Sequence, residues 1–114
     1  MYVAIIILKD EVYAKTVVST MIEMALFDAT VLDGDGLEYI AGESMPILSE
    51  VSVLFGRDIL FNKTIIAAVP DKETIFRLNA ALKRDGIDLK QPEVGTLMAF
   101  PCPVYIGAEH GDRD

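Results

Sequence analysis

The chain has little of the chemistry on which most enzymes and metal centres depend. Its 114 residues include one cysteine, one histidine and no tryptophan. Cys102 has no second cysteine with which to form an internal disulfide, and we expect it to be a buried structural thiol. His110 is the single side chain of the type that normally titrates near neutral pH. No Ser-His-Asp order, HExxH, CxxC, Walker loop or GxGxxG motif occurs. We therefore expect neither an enzyme nor a metal site.

Basic charge and long apolar runs are also scarce. Ten Lys and Arg residues stand against eighteen Asp and Glu, for a net charge of −8, so a phosphate-binding surface for nucleic acid is not expected. No apolar run approaches the roughly 20 residues that span a bilayer. The first residues resemble a strand and lack the basic region and cleavage site of a signal peptide. These features predict a cytoplasmic protein without a transmembrane segment.

A strand-helix-strand pattern occurs twice in the chain. Short runs rich in Val and Ile, bounded by Pro, Gly or Asp, are typical of strands buried on both faces. Between them, apolar residues recur at helical spacing and so share one face of each predicted helix. In the first helix these are Ala14, Val17, Val18, Met21, Ile22 and Ala25, and in the second they are Ile75, Leu78, Ala81 and Leu82. The predicted elements are strand 2–8, helix 10–26, strand 27–33, strand 64–70, helix 71–85 and strand 96–101. Asp71 is placed to cap the second helix, and Gly86 to end it.

The order β-α-β-β-α-β predicts an α+β fold, the ferredoxin-like split arrangement with a four-stranded antiparallel sheet. Two helices cover one face of such a sheet, yet the strands IIIL, IIAAV and LMAF are apolar on both faces. Another copy of the chain is the simplest cover for the second face, so we expect a homo-oligomer. The domain is predicted to span residues 1–107, and residues 108–114 to form a mobile acidic tail.

The long segment between the two units, residues 37–60, is too apolar for a disordered linker. Ser44 is a candidate cap for a short helix within it. Two interpretations remain open: the segment packs on its own oligomer, or it docks a partner protein or closes over a ligand. The candidate docking residues are Tyr39, Met45, Ile47, Leu48, Val51, Leu54 and Phe55.

Several short stretches resemble the PII-like signalling proteins over about residues 1–107. They are ATVLDGDG at a strand end, AAVPDKE at the entry to the second helix, and G-x-L-x-x-F at the last strand. The resemblance implies a trimer whose sheets pack around the threefold axis. It also implies adenine nucleotide binding in the clefts between subunits, and target recognition by the long loop.

Carried onto this sequence, the resemblance selects a set of ligand-binding candidates. They are Gly34, Asp35, Gly36, Lys63, Lys90, Gly95 and Thr96. Thr96 stands where the nucleotide-regulated relatives carry a phosphate-binding lysine. Gly107 and Glu109 stand in place of two phosphate-binding arginines, and the tyrosine modification motif is absent.

Three functions are consistent with these features. The first is a trimeric regulator that senses a small ligand, with an adenine nucleotide as one candidate, and acts on a partner through residues 37–60. The second is a structural or adaptor trimer without a ligand. The third is a CutA-like metal-binding trimer, which the scarcity of His and Cys disfavours.

Overall fold

The computed structural model describes residues 1–35 and 61–107, with the side chains of Asp35 and Phe61 excepted. Six elements follow one another in the order β-α-β-β-α-β. They are β1 (Tyr2–Leu8), α1 (Glu11–Glu23), β2 (Ala29–Asp35), β3 (Phe61–Val69), α2 (Lys72–Arg84) and β4 (Gly95–Pro101).

The four strands form one antiparallel sheet in the order β2-β3-β1-β4. Strands β1 and β3 are central, and Ile5 lies opposite Ile66 on one side and opposite Met98 on the other. β2 and β4 are the edges. This arrangement confirms the predicted ferredoxin-like α+β fold.

Both helices begin at the residues that the sequence indicates. The Asp10 carboxylate accepts a hydrogen bond of 2.8 Å from the Val12 N–H, and the Asp71 carboxylate accepts one of 2.7 Å from the Thr74 N–H. Such side chains satisfy amide groups that the first helical turn leaves free. The predicted cap at Asp71 and the predicted stop at Gly86 are both confirmed.

The core lies between the helices and one face of the sheet. Alternate residues of β1 and β3 are fully buried there, because side chains in a strand alternate between its two faces. The largest contributors are Ile6, Leu8, Val17, Ile65, Val69, Leu78 and Leu82. The predicted helix faces are largely confirmed, although Ile22 is exposed and Ala25 lies beyond the end of α1.

Three strands have boundaries that differ from the sequence prediction by one to three residues: β2 starts at Ala29, β3 ends at Val69 and β4 starts at Gly95. The larger changes are at the other ends of β2 and β3. β2 continues two residues past its predicted end, through Asp35, so Gly34 also lies within the strand. β3 begins at Phe61, three residues before the predicted start. In both cases cross-strand pairing between β2 and β3 extends the ladder into sequence that has low strand propensity by itself.

The second face of the sheet, which we call the open face, is apolar and is covered by no element among the described residues. Ile66, Met98 and Phe100 are exposed there, and Ile5 is half-buried by its neighbours. The open face comprises Val3, Ile5, Ile7, Thr30, Leu32, Thr64, Ile66, Ala68, Thr96, Met98 and Phe100. An exposed apolar patch of this kind usually marks an interaction surface.

Candidate functional site

Strand pairing brings four of the ligand-binding candidates to one end of the sheet. Lys63 of β3 lies opposite Asp33 of β2 and also opposite Leu8 of β1, which in turn faces Gly95 of β4. Gly34 and Thr96 are next to this row in their own strands. The chain leaves β2 and enters β3 at this same end, so we call it the loop end.

Gly95 is needed for packing between strands. A Cβ atom at this position would run into the main-chain carbonyl oxygen of Ile7, and it would lie 3.1 Å from Leu8 Cα. Main-chain atoms within a sheet cannot move aside, so only glycine fits. The presence of glycine here is therefore explained without a ligand.

Packing also favours glycine at position 34, but less strictly than at position 95. Asn62 lies opposite it in the β2–β3 ladder, and the Asn62 side chain occupies the space that a Cβ atom would take. The nearest obstacle is the end of a side chain that can rotate. A residue larger than glycine is thus disfavoured at position 34 but not excluded.

Lys63 is already engaged by an acidic partner. Its ammonium group forms an ion pair with the Asp33 carboxylate, and its side chain is partly exposed. The hydrogen bond to Asp33 raises the pKa of Lys63 above its ordinary value; partial desolvation acts against this, and attraction to Asp33 and Glu11 adds to it. Lys63 therefore remains protonated at neutral pH, with its charge largely balanced by the adjacent carboxylate.

Lys90 lies in the connection from α2 to β4, which also returns to the loop end. The Lys90 N–H donates to the Asp88 carboxylate at 3.0 Å, and the Lys9 N–H donates to the Val94 carbonyl at 3.1 Å. The first bond is internal to the connection, and the second attaches the connection to the end of β1. Glu93 adopts a positive φ of 66° within it, a conformation that is uncommon for a residue with a side chain.

The remaining candidates lie outside the described residues. Gly36 is one of them, as are all the predicted docking residues of the 37–60 segment and the acidic tail from residue 108 onward. Asp35 is described only as part of β2. Within residues 1–35 and 61–107, no cluster of three or more His, Cys, Asp or Glu side chains is arranged to hold a metal ion.

Three features of the structure, two hydrogen bonds and a groove, were not expected from the sequence. The Thr20 hydroxyl, fully buried in α1, donates to the Asp85 carboxylate at 2.6 Å and joins the two helices. That bond is the main cause of a lowered Asp85 pKa, and a bond from Arg84 adds to it. The Tyr105 hydroxyl donates to the Asp28 carboxylate at 2.6 Å. Both bonds join residues more than sixty positions apart, which no local pattern predicts.

The third is a groove of about 490 Å³ on the helical side, where the end of α1 meets α2. Its walls are formed by Glu23, Met24, Arg77, Ala80, Ala81 and Arg84. None of the ligand-binding candidates lines it.

Cys102 is half-buried, and its thiol contacts the Val104 carbonyl oxygen at 3.0 Å. The prediction of a buried structural thiol is therefore met only in part. None of the described helices has the length and apolar character needed to cross a membrane.

Comparison of the chain with protein-family models gives no match, and comparison with curated proteins finds no relative.

Proposed function

We propose that this chain forms a trimer through its open face and acts as a PII-like regulatory protein. In this proposal a small ligand binds at the loop end, and residues 37–60 communicate its presence to a partner protein. The observation that supports it best is that Gly34, Lys63, Gly95 and Thr96 all lie at the sheet end from which that segment departs, with Thr96 on the open face and Lys63 on the helical face.

The open face supports the trimer. Its central row runs Thr30, Ile66, Ile5, Met98 across all four strands, and the apolar members keep much of their surface in contact with water in the single chain. Transfer of apolar surface out of water contributes about 25 cal/mol per Å², so association of these faces is favourable. A cyclic trimer lets three such faces meet at one axis.

Light scattering tests the assembly directly. Three chains of 12.5 kDa would give a particle of 37.5 kDa. The Met98→Asp substitution places a charge on the open face at an edge strand, and we expect it to yield a folded monomer. Val12→Asp is the matched control, because Val12 is exposed on α1 at the helical side. A monomeric wild-type protein at all concentrations would refute the trimer.

Ligand sensing requires that the ligand have different affinities for two states of the loop. Binding itself comes first, and calorimetric titration with ATP, on material whose mass has been measured, tests whether an adenine nucleotide binds. We expect micromolar binding near one site per chain. Lys63→Gln should weaken it at least about tenfold, because it removes a positive charge and leaves the Asp33 carboxylate without its partner near the bound phosphates. The exposed Lys72→Gln should not weaken it.

Thr96→Lys provides a gain-of-function test. The resemblance to PII-like proteins places a phosphate-binding lysine at this position, and Thr96 is exposed at the loop end. A variant that binds ATP more tightly than the wild type would support a nucleotide at this site. Unchanged affinity, together with unchanged trimer mass, would count against it.

An adaptor trimer without a ligand is the second candidate function. Two observations favour it: Lys63 is neutralised by Asp33, and Gly95 is accounted for by strand packing. No detectable heat with ATP or with other small metabolites, from a well-formed trimer that still captures a partner through residues 37–60, would support the adaptor.

A further inference from the structure

The segment after β4, residues 102–107, is held in place by two long-range hydrogen bonds. The Cys102 N–H donates to the Met1 carbonyl at 2.9 Å and so continues the β1–β4 ladder by one step. Three residues later the Tyr105 hydroxyl donates to Asp28, just before the opposite edge strand β2. The segment therefore runs across the end of the sheet that lies opposite the loop end.

This anchored segment presents two β-branched apolar side chains that the described residues leave largely uncovered. Val104 is 71% exposed and Ile106 is 94% exposed. They flank Tyr105, whose own side chain turns back to the protein and bonds to Asp28. The side chain that faces the protein is thus polar and anchored, while those that face water are apolar.

The open face is small for a stable protein–protein interface. Four strands about 4.8 Å apart and about 23 Å long give a projected area of roughly 440 Å². A standard interface buries about 800 Å² on each partner. In a ring of three, each face must also be divided between two neighbours. The interface between any two neighbours would then be small, and further apolar surface next to the open face would enlarge it.

We propose that Val104 and Ile106 provide that surface by packing against a second copy of this chain. The inference rests on the self-association proposed above. It adds that residues 102–107 belong to the same interface, since they continue directly from Phe100 on the open face. Tyr105 and Asp28 then act as positioning residues. Their hydrogen bond holds the segment in the orientation in which Val104 and Ile106 pack against the neighbouring copy.

Sedimentation equilibrium of the full chain tests this proposal. We expect the double substitution Val104→Ser, Ile106→Ser to raise the dissociation constant at least about tenfold, because it removes two branched apolar side chains from the interface. Val12→Ser is the control, since Val12 is a 67% exposed valine on the helical side. It should leave the constant unchanged. Both substitutions concern side chains that the monomer leaves exposed, so the fold should tolerate them.

The experiments distinguish failure of assembly through the open face from failure of the role proposed for residues 102–107. If Met98→Asp dissociates the protein but the double serine variant associates as tightly as the wild type, assembly through the open face stands and the role of residues 102–107 is refuted. If the wild type is monomeric at every concentration, both are refuted. Hydrogen exchange provides an independent readout: amides 104–106 should be protected in concentrated protein and lose that protection on dilution. Equal exchange at both concentrations would also overturn the proposal.

Discussion

The two helices end in the same hydrogen-bond arrangement but differ in the residue that occupies its left-handed position. At the end of α1, the Leu26 N–H donates to the Met21 carbonyl at 2.9 Å, and Ala25 adopts φ 59°. At the end of α2, the Ile87 N–H donates to the Leu82 carbonyl at 2.8 Å, and Gly86 adopts φ 95°. Both are Schellman motifs. We predict that Ala25→Gly stabilises the protein and that Gly86→Ala destabilises it.

The expected change in the free energy of unfolding follows from backbone conformation alone. A left-handed conformation costs a residue with a Cβ atom about 1–2 kcal/mol, and glycine escapes this cost. Glycine also adds about 0.5–1 kcal/mol of unfolded-chain entropy, which offsets part of the gain. The Ala25 side chain is exposed, and a Cβ atom at Gly86 would meet nothing within 4 Å. We therefore expect each substitution to change the free energy of unfolding by about 1 kcal/mol, in opposite directions.

Urea unfolding followed by circular dichroism measures both variants. All samples should be at one protein concentration, because self-association contributes to apparent stability. A change of about 1 kcal/mol corresponds to about 4 °C in melting temperature for a domain of this size. The reasoning is refuted if Ala25→Gly lowers the stability or if Gly86→Ala leaves it unchanged. Either result would mean that the left-handed backbone conformation at these positions does not cost the expected free energy.

Three further predictions concern acid sensitivity, the core and the strand ends. Hydrogen bonds from the Thr74 side chain and N–H lower the pKa of Asp71, so its stabilising effect is present above its unfolded pKa and is lost as pH falls through the lower folded value. Urea titrations from pH 6 to 2 should show a smaller loss in Asp71→Asn; an unchanged pH profile would contradict this. Leu78→Ala, at a fully buried site, should cost about 2–5 kcal/mol in the free energy of unfolding. The exposed Phe76→Ala should cost far less, and equal costs would mean that Leu78 is not in the core. Gly95→Ala should destabilise far more than Gly34→Ala, because the first meets main chain and the second a rotatable side chain; melting temperatures that fall equally would refute that distinction.

The element order was predictable because its signals are local. Helical spacing in α1 and α2, the Asp71 cap and the glycine at position 86 each depend on residues within a few positions of one another. Strand ends were less predictable. Asp33 and Gly34 have turn-forming chemistry, and only their pairing with Lys63 and Asn62 keeps them extended.

Less of the candidate site was predictable. The resemblance only names residues to examine. The ion pair between Lys63 and Asp33 depends on strand register, which alternation alone does not specify. The same holds for the packing of Gly95 against Ile7. The helix-to-helix bond from Thr20 to Asp85 depends on how the two helices cross.

The sequence by itself determined the fold class and the apolar character of both faces of the sheet, because periodicity and apolar runs are properties of consecutive residues. Only the tertiary structure decided which face the helices cover and which residues meet at the loop end. It also decided that residues 102–107 return to Asp28 with Val104 and Ile106 exposed. Those outcomes depend on contacts between residues distant in the chain, whose geometry is set by the packing of the whole domain.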